Sequence, residues 1–159
     1  MQLRAGSTSS GLLRARYEVI ADGRVVTGWT ARTPQAHREL VVDGATYVLD
    51  AHGVARFSLE GGVRAHLRRT VDPRPRTSWT LEAGALAYRM TGSGLGRRFT
   101  LADVDGGTEV GAVWRTTGLR PSYGAELPDE VPVPVGVFVL WAAMAIWRAT
   151  VTAAATAVR

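Results

Sequence analysis

The chain has 159 residues, 46% of them hydrophobic and 21% charged, with a net charge of +5, so it is long enough for one packed domain and too apolar for a disordered segment. It contains no cysteine, which excludes a disulfide framework, a thiolate metal site and a thiol nucleophile. All 19 basic residues are arginine, so a P-loop, which needs its lysine, and Schiff-base chemistry, which needs an amine, are excluded as well.

Residues 1–15 have no apolar run of signal-peptide length, and Gly6 to Gly11 read as a flexible lead-in to a single domain over 16–159. From Arg16 to Glu126 the dominant period is two. Ala55, Phe57 and Leu59 alternate with Arg56 and Ser58, and Val63, Ala65 and Leu67 with Arg64, His66 and Arg68. Leu86, Tyr88 and Met90 repeat the pattern, as do Val110, Ala112 and Trp114. This is the signature of strands with one packed and one wet face. Asp22-Gly23, Asp43-Gly44, His52-Gly53, Gly61-Gly62, Ala83-Gly84, Gly92 to Gly96 and Asp105 to Gly107 punctuate the runs as hairpin turns. The spacing predicts a sandwich or barrel of roughly ten to twelve short antiparallel strands. Tyr47-Val48-Leu49, Trp79-Thr80-Leu81 and Phe99-Thr100-Leu101 form a weak repeat that places an aromatic and a leucine on one face.

Two segments break the alternation. Asp72-Pro73-Arg74-Pro75-Arg76 carries two prolines without donors and reads as a surface loop. Leu127 to Pro134 reads as a second loop, with acid placed ahead of a helix. Val135 to Trp147 then has no charge and no strongly polar side chain, and after Arg148 the segment continues with Ala, Val and Thr to Val158. As a helix, 135–158 would span about 36 Å. A helix without a polar face is buried all round, in lipid or in protein. Against lipid stand the short unbroken run and a central arginine, which costs about 3 kcal/mol on insertion scales. The alternative is a closed β-barrel with the helix through its interior, and small Ala55, Ala65 and Ala112 beside large neighbours would make room for it.

Tyr47-Val48-Leu49-Asp50 with Gly53, Phe99-Thr100-Leu101 through Asp105-Gly106 to Val110-Gly111, Leu127-Pro128, and Val137-Phe138-Val139-Leu140-Trp141 to Trp147-Arg148 together resemble the tubby C-terminal-like superfamily, which includes the LURP-one-related proteins and phospholipid scramblases. The resemblance implies a twelve-stranded barrel threaded by its hydrophobic helix. It does not carry over an activity. The lysine-arginine pair with which tubby proteins bind phosphoinositides is absent, and so is the cysteine-rich segment of scramblases.

No enzymatic constellation emerges. His37, His52 and His66 lack metal-ligand spacing, and the Gly92 to Gly96 cluster joins two strands rather than a strand and a helix. Asp103 and Asp105 are too few for a calcium site, and no nucleophile elbow is present. Despite a pI near 10.6, no nucleic-acid recognition motif appears. The expectation is a non-enzymatic binding or scaffold protein without a cofactor, cytoplasmic and peripheral to anionic membrane surfaces. The alternative is a membrane-anchored β-domain with scramblase-like activity. The candidate lipid-binding residues are Arg68, Arg69, Arg74, Arg76, Arg97 and Arg98, because guanidinium forks match phosphate oxygens.

Overall fold

The structure, a computed structural model, describes residues 1–7, 15–31, 36–70, 77–105, 107–116 and 122–157. Twelve strands and one helix follow in chain order: β1 (Gln2–Ser7), β2 (Ala15–Ala21), β3 (Arg24–Ala31), β4 (His37–Val42), β5 (Ala45–His52), β6 (Arg56–Glu60), β7 (Ala65–Thr70), β8 (Thr77–Ala83), β9 (Leu86–Gly92), β10 (Arg98–Asp103), β11 (Glu109–Arg115), β12 (Tyr123–Glu126) and α1 (Val133–Ala157). The strands form one antiparallel sheet in the order β3-β2-β1-β12-β11-β10-β9-β8-β7-β6-β5-β4, which curls into a nearly closed barrel. Each strand from β4 to β12 pairs with its sequence neighbour, and β1 joins β12, so that β1, β2 and β3 extend the sheet round toward β4. At Asp22-Gly23 and Asp43-Gly44 both turn residues have positive φ, the geometry that suits a two-residue hairpin and that Asp-Gly supplies.

The helix fills the barrel. Residues 135–144 are buried without interruption, nearly three turns with no exposed face. The aromatic-leucine repeats point inward as expected: Tyr47, Leu49, Trp79, Leu81, Phe99 and Leu101 are all buried. Phe57 meets Trp141 of the helix edge-on at 5.8 Å, and Phe99 stacks on Trp147 at 4.9 Å. At Gly136 α1 lies close against the wall, since a side chain there would run into Leu3, Met1 and Leu127. The helix has a mean hydropathy of 1.6 over a length that could cross a membrane, yet two thirds of that stretch is buried inside the protein.

Four expectations need correction. The flexible lead-in over 1–15 contains β1, a strand paired on both sides, whose Leu3 and Ala5 are buried in the core; residues 8–14 lie outside the described ones. The helix starts at Val133, two residues before the sequence reading placed it, because Pro134 sits in the first turn, where no intrahelical donor is required. Ala55 is exposed in the turn before β6 and makes no room for the helix. Finally, β11 has the opposite phase to the one expected. The register of β10 against β11 shifts between Leu101 and Ala102, so Val113 opposes buried Phe99 and faces the core. Trp114 lies outside, over Gly124, where a side chain would collide with its indole. A one-residue irregularity reverses every later side chain on a strand.

Candidate functional site: an arginine rim at one end of the barrel

Because adjacent strands alternate in direction, charges at strand ends collect at the two mouths of the barrel. One mouth holds the starts of the odd-numbered strands and of α1. Asp22, Asp43, Glu60, Glu82, Asp103, Asp105, Glu109, Glu126, Asp129 and Glu130 lie at or beside this mouth. Three of its cations are engaged: Arg24 makes a two-pronged ion pair with Asp43 at 2.6 and 3.1 Å, Arg64 pairs with Glu60 at 3.0 Å, and the Met1 ammonium pairs with Asp129. Tyr88 donates to Glu130 at 2.9 Å, and burial together with that carboxylate pushes the phenol up to about 12.

The opposite mouth, where α1 leaves the barrel, is basic. Arg16, Arg38, Arg56, Arg68, Arg69, Arg97, Arg98, Arg115 and Arg148 are all placed there by the ends of β2, β4, β6, β7, β10, β11 and α1. Carboxylates within reach of this end, among the described residues, include Asp50, bonded to His37 at 2.7 Å, and Glu109, which extends to Arg98 at 2.7 Å, and Glu39 lies a little way into β4.

The candidate arginines do not behave alike. Arg68 is exposed on the outer face of β7, as the alternation requires. Arg69 follows the inward row of Ala65 and Leu67, and it is exposed because that row has reached the rim. Neither is ion-paired with a described residue, and the same holds for exposed Arg97. Arg98 differs, since its guanidinium lies 2.7 Å from Glu109 and its charge is already met. Arg74 and Arg76 lie outside the described residues.

Arg56 was not among the expected residues, yet it sits directly across from Arg68 in the β6–β7 ladder, and His52 is directly across from Arg56 on the other side. All three side chains are exposed. Like charges in opposed cross-strand positions are destabilising, by up to about 1 kcal/mol. The signal for this pair was present in the sequence. Arg56 and Arg68 are equidistant from Gly62, the centre of the hairpin between them, and both occupy wet positions of their alternations.

Closer to the axis, two arginines grip aromatic rings. Arg115, turned inward by the shifted phase of β11, lies over Trp147 at 5.4 Å and donates to the carbonyls of Gly96 and Leu95 at 3.1 and 3.2 Å. Arg148 lies over Tyr17 at 5.2 Å and donates to its hydroxyl at 2.7 Å. Arg38 donates to the Thr30 carbonyl at 3.1 Å; burial and the neighbouring Arg148 charge hold its guanidinium below the ordinary value. Tyr123 is raised chiefly by burial, with Arg148 and Arg115 opposing the shift. Beside this group a cleft of about 380 Å³ is lined by Thr77, Thr91, Ser93, Thr100, Arg98 and two glycines. It offers hydroxyls, but its one cation is neutralised by Glu109, so the uncompensated charge lies on the rim.

No group of histidines and carboxylates suited to a metal ion occurs among the described residues. Compared with protein-family models, curated proteins and solved structures, the chain matches none.

Proposed function

We propose that the protein is a non-enzymatic binding module that docks peripherally, from the cytoplasmic side, on anionic phospholipid surfaces. The observation that carries this reading is the row His52, Arg56 and Arg68, with Arg69 and Arg97 on the same rim. A folded protein gains nothing in isolation from facing one arginine with another. A phosphate placed over the pair converts that repulsion into two charge-assisted hydrogen bonds. Docking is favoured over spanning because the stretch of α1 that is apolar on every side is the stretch the strands enclose.

The test is co-sedimentation with phosphatidylcholine vesicles, with and without phosphatidylserine. Each basic residue near an anionic surface contributes about 1 kcal/mol, so replacing Arg56, Arg68 and Arg69 by Gln weakens binding by about a hundredfold. Raising the salt weakens the parent protein in the same direction, because exposed charges are screened. Equal binding to neutral and anionic vesicles, or an undiminished triple variant, overturns the reading.

A further inference from the structure

The same rim carries an apolar tip. Beyond Arg148 the helix leaves the barrel: residues 148–150 are half-buried and 151–156 are exposed on every side, a projection of about 9 Å made only of Val, Thr and Ala. Its hydroxyls are already satisfied. Thr150, Thr152 and Thr156 each donate to the carbonyl four residues back, at 2.9, 3.0 and 2.7 Å. That is how a helix carries threonine into a medium that offers no partners. The β9–β10 loop packs against this helix end so closely that Gly94 leaves no room for a side chain beside Thr150. Leu95, the residue after Gly94, is 63% exposed, and Val151, the residue after Thr150, is 49% exposed. The two bonds from Arg115 to the carbonyls of Leu95 and Gly96 hold the loop in place.

We infer that Leu95 and the helix end around Val151 enter the outer apolar layer of an anionic bilayer, while Arg97, Arg115 and Arg148 stay at the head groups. The inference rests on the docking reading and adds depth and orientation to it: the barrel axis stands toward the membrane, basic mouth first. The described projection of about 9 Å matches the depth reached by interfacial helices. Arginine stems reach along apolar surface while their heads remain among phosphates, so the collar is compatible with immersion of the tip. The occupant is a lipid surface rather than another protein because Arg97, Arg115 and Arg148 beside the tip meet no carboxylate among the described residues.

The absence of native cysteine makes the test direct. Leu95→Cys, Val151→Cys and Val25→Cys, each labelled with an environment-sensitive dye, are mixed with vesicles of phosphatidylcholine and phosphatidylserine. The labels at 95 and 151 shift to shorter wavelength and are quenched by lipids spin-labelled near the head group. The label at 25, at the acidic mouth, does neither. A Leu95→Glu/Val151→Glu variant melts like the parent and binds the vesicles about tenfold more weakly. If the protein co-sediments but neither label at 95 nor at 151 responds, insertion fails and docking stands. If it does not co-sediment, both fail. A shift that needs no vesicles and grows with protein concentration assigns the tip to a second copy of the chain and overturns the inference.

Discussion

At the scale of single residues, the rim trades stability for charge. Arg68 faces Arg56 across a ladder in which a carboxylate would be the favourable partner. Arg68→Glu therefore raises the melting stability by about 0.5–1 kcal/mol while it weakens anionic-vesicle binding. A variant that lost stability would show that the pair is not in repulsion. Tyr88 provides a check at the other mouth. Its hydroxyl donates to Glu130 and its folded value stands at about 12, against an ordinary value of 10.0. The folded state thus holds this proton more tightly than the unfolded chain does. The stabilisation is whole below pH 10 and is lost as pH rises through about 12. Tyr88→Phe removes that part of the alkaline decline, which a pH series of denaturant melts measures; an unchanged decline would place its cause elsewhere.

At the scale of elements, α1 is the core that the strands wrap. Trp141 is buried against Phe57 and Phe138. Trp141→Arg buries a charge without a partner at a cost of several kcal/mol, comparable to the total stability of a small domain, and the expected result is insoluble protein. The milder Leu140→Ala, at a fully buried position, costs about 2–5 kcal/mol and is read in a melt. Truncation after Pro134 leaves the strands with no filling, and soluble truncated protein with a cooperative transition would show that they have another core. Much of this element structure was legible. Period-two runs and Asp-Gly turns give strands because their stereochemistry is local, and a segment without any polar face has to be enclosed. Other features were not local. Leu3 and Ala5 alternate too briefly, ahead of a Gly-Ser run, to announce that β1 joins β2 to β12. The slip that turns Val113 and Arg115 inward depends on how Leu101 and Ala102 meet the next strand, which no single run of residues encodes. The basic rim was half visible: Arg68 and Arg69 stood out as a pair and the hairpin centred on Gly62 set Arg56 opposite Arg68, whereas Arg115 and Arg148 join them only through register and barrel closure.

At the scale of the whole molecule, the barrel has one place where its wall is not a ladder. β3 and β4 are the two ends of the strand order and do not pair. Val26 and Trp29 on one side and Leu40 and Val42 on the other are nonetheless buried, so the edges lie against each other and exclude water from the core. Among the described residues the gap is bridged by Asp43 N–H to the Val26 carbonyl at 3.3 Å, Arg38 to the Thr30 carbonyl at 3.1 Å, and the Arg24–Asp43 ion pair, in place of a strand ladder. Edge strands with free backbone groups are a hazard for chain-to-chain pairing, and arginines along the seam are one way to guard them. A wall held by side chains opens at lower free energy than one held by a continuous ladder. In native-state hydrogen exchange the amides of β3 and β4 that face the seam therefore exchange faster than those of β8 and β9, which are paired along their whole length. Arg24 is largely exposed, so Arg24→Ala changes global stability by less than about 1 kcal/mol. It accelerates exchange at the seam by a few-fold and leaves β8 and β9 untouched. Uniform protection around the barrel, or acceleration spread evenly by Arg24→Ala, would mean that the seam opens only with the whole molecule.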